Sequence, residues 1–372
     1  MHFTITTSPG LESLVKSECE RLQFEHIKTT DQSVRCEWNI DDMYRLNIHL
    51  RTANRVYIEL SKGQVEDFDT LFSMVSKINW REYLPKNHPI IVNATSVRSI
   101  LTHTPSIQKI GKKALVETLL QNTHNSILTE DEALPQIHIL ILIVDNIASI
   151  LLDTSWEALH KRGYRKEQWE APLKETLAAA IVMLTRWKYS EPFYDPFCWS
   201  GTIAIEAAMI ARNIAPGLFR NFACEYFPFH EEETMEKIRD EAEKKIFPSG
   251  KYQIIASDKD EQVLEFAERN ARRAWVISDI TFRRQDFFEL ANKMPEQTDG
   301  ITLVSNPPYG LRLNQDDIGE IHEMLAKVLQ FPHMHGWIIT AYENFGDMAP
   351  KTIFKERKLY NGSELCRFWH KK

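Results

Sequence analysis

The sequence predicts an α/β fold: a parallel sheet wound on both sides, preceded by smaller α+β units. Three observations carry this. From about residue 165, short apolar strands alternate with amphipathic helices, the pattern of a parallel sheet covered on both faces. Before that, strands and helices alternate within about the first 60 residues, which suits a small sandwich of ferredoxin-like type. At 372 residues the chain is also long enough for two or three domains with cores of their own.

The elements follow in order. "HFTITTSPG" reads as a strand into a turn, and "LESLVKSECERL" is apolar at helical spacing. "SVRCEWNI", "DDMYRLNIHLR" and "RVYIELSKGQV" follow as strand, helix and strand. A second unit opens with a helix over 68–80 and a strand over 89–97, then a helix over 106–122 with a basic face. "IHILILIVDNIASILLDTS" reads as two apolar strands about an Asp-Asn turn, a hairpin. In the third unit a helix over 173–187 precedes the strand and turn "PFYDPFCWSGT" and the helix "TIAIEAAMIARN". A strand (253–258), a helix (260–274), a strand (300–306), a helix (318–330) and a strand (336–342) continue the alternation. There is no repeat and no low-complexity tract.

Composition narrows the class. The chain is 43% hydrophobic and 26% charged, ordinary for a soluble globular protein. Its greasiest run, "IHILILIV", is too short to span a bilayer, and no N-terminal stretch is ordered like a signal peptide. Five cysteines without a CxxC pair argue for reduced thiols in the cytoplasm and against a zinc cluster. The expectation is a cytoplasmic protein with no membrane partner and no metal. Net charge is −7, so global charge does not announce nucleic acid. Basic residues nevertheless gather locally: Arg98, Lys109, Lys112 and Lys113 stand against Glu117 alone, and the last 22 residues hold seven Lys/Arg against two Glu. Such patches can grip phosphates, or can be plain solvated helix and tail faces.

Three strand ends carry residues with chemistry. "DPFCWSGT" (195–202) offers Asp195, a turn with Ser200 and Gly201, and Thr202 opening a helix, a loop that can meet a ligand's polar groups with backbone N–H groups. In "ASDKD" (256–260), Asp258 ends a strand where a carboxylate can accept both hydroxyls of a ribose. In "RQDFFEL" (284–290), Asp286 can take an adenine amine with Phe287 beside the ring. Each alone could be a helix cap or turn residue. In order along one sheet they point to a nucleoside-containing cofactor.

The stretch "NPPYG" makes a further demand. Asn306 is pushed to an extended backbone by Pro307, and Pro307 and Pro308 donate no N–H. The Asn306 side-chain oxygen and the Pro307 carbonyl can then face one planar –NH2 group, with Tyr309 stacking on the base that carries it. An exocyclic amine is a poor nucleophile because its lone pair is delocalised. Two acceptors on its hydrogens favour the pyramidal nitrogen and fix it in line with an electrophilic carbon.

At these residues the chain resembles the THUMP-domain class I S-adenosylmethionine-dependent RNA methyltransferases, and is similar to the bacterial 23S ribosomal RNA guanine-N2 methyltransferases. The resemblance runs through "TSVRSILTHTPSIQKIGKKALVE", "LHKRGYR", "APLKETLAAAIV", "DPFCWSGTIAIEAAMIARNIAPG", "NPPYG" and "KLYNGSELCRFW". It implies a ferredoxin-like domain over 1–60, a THUMP RNA-binding domain over 61–155, and a Rossmann-like methyltransferase domain over 156–372. It also implies S-adenosylmethionine as cofactor and RNA, ribosomal or transfer, as partner. Asp195, Ser200, Gly201 and Thr202 would line the cofactor loop, Asp258 would take the ribose, and Asp286 and Phe287 the adenine. Asn306, Pro307, Pro308 and Tyr309 would hold the target amine, and Arg165 and Lys174 would contact RNA or cofactor.

The chain departs from that family's pattern where its loop reads Trp199 in place of glycine, and Trp156 and Trp275 also stand at expected glycines. An indole at 199 points to solvent, packs on the cofactor, or fills the space of its methionine moiety. The enzyme reading is transfer of a methyl group to guanine N2, with adenine N6 as a variant. Its alternative is an RNA-binding protein whose cofactor site Trp199 impairs.

Overall fold

The computed structural model describes residues 2–37, 39–121, 128–167, 173–250, 252–293, 300–309, 315–350 and 352–371. Trp38, Asn122, Ala171, Pro172, Gly310, Lys351 and Lys372 of the stretches read above lie outside them. The chain forms two compact units.

The first unit comprises Met1–Thr7, Val15–Leu159 and Arg220–Glu241. Its strands are β1 (His2–Thr7), β2 (Lys28–Thr30), β3 (Ser33–Glu37), β4 (Ala53–Gln64), β5 (Ile90–Val97), β6 (Ile137–Val144) and β7 (Ile147–Asp153). They form one sheet in the order β2-β3-β1-β4-β7-β6-β5. The twelve residues of β4 make that continuity: Ala53–Glu59 face β1, and Tyr57–Gln64 face β7. Only β5 and β6 run parallel. The expected hairpin forms, with Val144 opposite Ile147 and both Asp145 and Asn146 at positive φ (50° and 62°), as a tight turn matching strand twist requires. The helices are α1 (Glu12–Arg21), α2 (Ile40–His49), α3 (Phe68–Ser76) and α4 (Thr104–Leu120). Asn39 and Asp42 close a capping box on α2, and Asp67 caps α3 by accepting from the Thr70 N–H at 2.7 Å. α3 ends at Ser76, short of the expected residue 80, and Trp80 begins a separate 3₁₀ turn. On α4, Lys112 and Lys113 pair with Glu130 and Glu117, while Lys109 stays exposed.

The second unit comprises Ser8–Leu14, His160–Phe219 and Ala242–Lys372. Its strands are β8 (Phe193–Asp195), β9 (Ile254–Asp258), β10 (Ile280–Arg284), β11 (Ile301–Ser305), β12 (Met334–Thr340), β13 (Phe354–Asn361) and β14 (Glu364–Lys371). The order is β10-β9-β8-β11-β12-β14-β13, parallel from β10 to β12. Its helices are α5 (Glu175–Thr185), α6 (Thr202–Ala211), α8 (Glu261–Arg273), α9 (Phe287–Lys293), α10 (Gln315–Val328) and α11 (Phe345–Met348), while α7 (Glu232–Lys244), between α6 and α8 in the chain, belongs as far as Glu241 to the first unit. α5 and α6 are almost wholly buried, and Ala-rich faces let them sit close to the sheet: Ala180, Ile181, Ile203, Ala204 and Ala207 share one core with Phe193, Ala256 and Val304. The basic C-terminal segment is the β13–β14 hairpin, which turns at Gly362 (φ 70°) and pairs antiparallel with β12.

Candidate active site

The parallel strands wind outward in two directions from the middle of the sheet. β8 is followed by β9 and β10 on one side, and β11 and β12 lie on the other. The reversal falls between β8 and β11, so the loops leaving their carboxyl ends diverge and open a crevice. "DPFCWSGT" leaves β8 and "NPPY" leaves β11. A cavity of about 200 Å³ lies there, lined among others by Trp199, Asp258, Asp260, Asp286, Phe287 and Pro308. Four candidates chosen from sequence thus meet in one cleft.

Each is held by its element. Asp258 ends β9; one carboxylate oxygen accepts from the Trp199 N–H at 3.3 Å and the other from the Asp260 N–H at 3.2 Å. Burial raises its pKa. Asp286 precedes α9, accepts from the Phe288 N–H at 2.8 Å in a helix-start role, and lines the cleft. Phe287 packs on Phe197, ring centroids 4.9 Å apart, so the apolar wall is a pair of rings. Sequence reasoning missed Phe197; its place two residues beyond a strand-end aspartate was the available signal. Gln285, also missed, lines the cleft, and its buried side-chain oxygen has no hydrogen-bond partner among the described residues.

The loop after β8 turns tightly. Gly201 N–H donates to the Cys198 carbonyl at 2.7 Å, and Gly201 sits at φ 80° as α6 begins. The Ser200 carbonyl accepts from the Asn270 amide at 3.2 Å, and the Ser200 and Thr202 hydroxyls lie 3.3 Å apart. Asp195 is fully buried behind this loop, with the Phe197 N–H turned toward it and no hydrogen bond to either oxygen among the described residues. Burial and the charge of Asp258 push its pKa well up. Ser200, Gly201, Thr202 and Asp195 stand behind the cleft wall rather than on it.

Two residues before the Pro308 that lines the cleft, Asn306 leaves β11 with its side-chain oxygen buried and, among the described residues, without a partner. Its main-chain carbonyl accepts from the Trp199 indole N–H at 2.9 Å. Trp199 is thus a half-buried residue of the cleft wall whose indole is tied to the end of β11, and its backbone is left-handed (φ 49°). Trp156 and Trp275 are left-handed as well (65° and 61°), so all three tryptophans occupy backbone that a glycine adopts without strain. Tyr309 is half-buried beyond Pro308. Arg165, expected to contact RNA or cofactor, has a side chain that is 7% exposed and pairs with Glu175 at 2.8 Å.

Orphaned acceptors on Gln285 and Asn306, a strand-end carboxylate and an aromatic wall fit a ligand that brings a nucleoside and an amine. Strand order and the NPPY end put the second unit in the class of methyltransferases with a doubly wound sheet. The chain belongs to the family whose methyltransferase domain is described as RMKL-like, which matches residues 162–367. The RlmL ferredoxin-like domain matches residues 2–57 and the THUMP domain residues 65–153. Among its relatives is YpsC of Bacillus subtilis strain 168, named a candidate RNA methyltransferase, 36% identical over 375 residues that cover 99% of this chain and 96% of YpsC. The crystal structure of SMU.472, a candidate methyltransferase complexed with SAH, superimposes with a TM-score of 0.87 at 32% identity over 99% of this chain and 97% of that one. A Listeria monocytogenes protein, described as a predicted N6-adenine-specific DNA methylase, does so at 0.89 and 34% over 100% and 96%.

Proposed function

We propose that this methyltransferase acts on RNA and modifies an exocyclic base amine, guanine N2 of ribosomal RNA. The cofactor is S-adenosylmethionine, which when bound supplies an electrophilic methyl group on a sulfonium. Asp258 accepts from the ribose hydroxyls, Asp286 and Phe287 hold the adenine, and Asp195 with Ser200, Gly201 and Thr202 shapes the loop around the remainder. The observation that carries the reading is the Asn306 side-chain oxygen, buried at the end of β11 and unpartnered among the described residues. A buried acceptor costs about 1–3 kcal/mol while unpaired, so it favours a ligand that brings a donor. With the Pro307 carbonyl it would accept both hydrogens of the target amine, and Tyr309 would stack on the base.

The residues ranges 1–60, 61–155 and 156–372 serve as ferredoxin-like, THUMP and catalytic domains, the first two holding the RNA. A paired, stacked amine is out of reach of such a cleft, so the target nucleotide is flipped out or lies in a loop. The test is transfer of labelled methyl groups from S-adenosylmethionine to ribosomal RNA lacking the modification, followed by nucleoside analysis. N2-methylguanosine is expected; N6-methyladenosine, or label only in transfer RNA, would overturn the proposed target. One observation favours a second reading: Trp199 stands on the cleft wall with its indole bonded to the Asn306 carbonyl. No measurable binding of S-adenosylhomocysteine would leave an RNA-binding protein on a methyltransferase fold.

A further inference from the structure

Behind the loop after β8 lies a cluster of charge that the cleft itself does not use. Arg162 and Arg165 come from the segment before α5, Glu175 opens α5, and Glu206 sits on α6; all four are almost wholly buried. Arg162 faces Glu206 at 3.4 Å, and the Tyr164 hydroxyl donates to the same carboxylate at 3.1 Å. The Arg165 guanidinium spreads over three acceptors. It donates to Glu175 at 2.8 Å, to the Leu173 carbonyl at 2.6 Å and to the Thr202 hydroxyl oxygen at 3.4 Å. Thr202 is the first residue of α6, and its hydroxyl is 3.3 Å from that of Ser200. The same segment grips the loop a second time: Asn270 donates to both the Glu167 and the Ser200 carbonyls.

We propose that Arg165 is a positioning residue for the cofactor loop, acting through Thr202, and that its grip depends on the ionised Glu175 carboxylate. The inference rests on the cofactor reading given above. A buried guanidinium stays in place only with a counter-charge. The groups facing Glu175 are Arg165 and Arg162, which favour its ionised form, and Glu206, which opposes it; Tyr164 also lies against this cluster. Burial outweighs the two arginines and brings the Glu175 pKa up to about 7. As the pH falls through that value the carboxylate takes a proton, Arg165 loses its counter-charge, and the Thr202 hydroxyl loses a fixed donor. His160, near the same arginines, is held down to about 4 by burial and their charge, so it does not titrate in this range.

The test is calorimetric titration of S-adenosylhomocysteine into the full chain at about pH 8.5 and about pH 6. Wild type is expected to bind about tenfold more weakly at the lower pH. Glu175→Gln and Arg165→Met should bind equally at both values, each near the wild type's weaker affinity. Thr202→Val, which leaves the ion pair intact, should also lose the step, so misfolding of one variant does not decide the matter. A step that persists in these variants, or a flat wild type, overturns the inference while the cofactor reading stands. No binding by wild type at either pH overturns the cofactor reading and the inference with it.

Discussion

The Trp199 indole N–H donates a 2.9 Å hydrogen bond to the main-chain carbonyl of Asn306, joining the loop after β8 to the strand end after β11. The bond ties an aromatic residue of the cleft wall to the strand end that carries Pro308. Trp199→Gly removes the ring, relieves a left-handed backbone and gives up one hydrogen bond of about 1 kcal/mol. The variant is expected to bind S-adenosylhomocysteine about tenfold more tightly by calorimetry. Equal or weaker binding would mean that the indole is part of the binding surface.

Asn306→Ala tests that strand end. It removes a buried oxygen that is unpartnered among the described residues, so the fold loses little, and methyl transfer loses an acceptor on the nitrogen. The turnover number should fall at least about a hundredfold while affinity for S-adenosylhomocysteine changes less than about threefold. Unchanged turnover would remove Asn306 from the chemistry.

Gly201→Ala probes the tight turn. At φ 80° an added Cβ is strained, and it would sit 3.0 Å from the Ala267 Cβ on α8. A loss of about 2 kcal/mol is expected in urea unfolding, together with weaker cofactor binding. A stability equal to wild type would show that the turn relaxes at no cost.

His322 should govern acid stability. Its Nδ1–H donates to the Ile318 carbonyl and its Nε2 accepts from the Thr340 hydroxyl, both at 2.8 Å, so the buried ring is neutral. Burial holds its pKa down to about 4, below the ordinary 6.5. Between those values the unfolded chain takes up a proton that the folded one refuses, so this contribution to stability is intact above the upper value and falls as pH drops. The full loss is about 3 kcal/mol. His322→Gln should flatten the dependence of the urea midpoint on pH across that range; a slope equal to wild type would assign the acid sensitivity elsewhere.

Strand-end chemistry was legible because local sequence encodes it. Asp258 and Asn306 announce themselves by ending apolar runs, and Asp145-Asn146 by turn propensity. Partners far apart in sequence were not legible. The pairing of β12 with β14 depends on a hairpin whose residues read as a charged tail. Arg165 was expected to contact RNA or cofactor, and only the fold reveals its buried pairing with Glu175. The run "RVYIELSKGQV" reads as the long strand that β4 is, but it does not tell that its two halves join two groups of strands into one sheet. Trp199 was read as an anomaly from one residue, but its role is a bond across 107 positions.

The first unit takes back Arg220–Glu241 after the chain has begun the second. Within it, Tyr44 bonds His230 at 2.9 Å and the Glu231 N–H at 2.8 Å, and Arg220 donates to the carbonyls of Ser155, Glu157 and Ala158. During synthesis the amino-terminal half therefore waits, with these donors and acceptors in water, until the ribosome has made the start of the catalytic portion. Cutting the gene at the seam between them would yield two fragments, each lacking a piece the other carries.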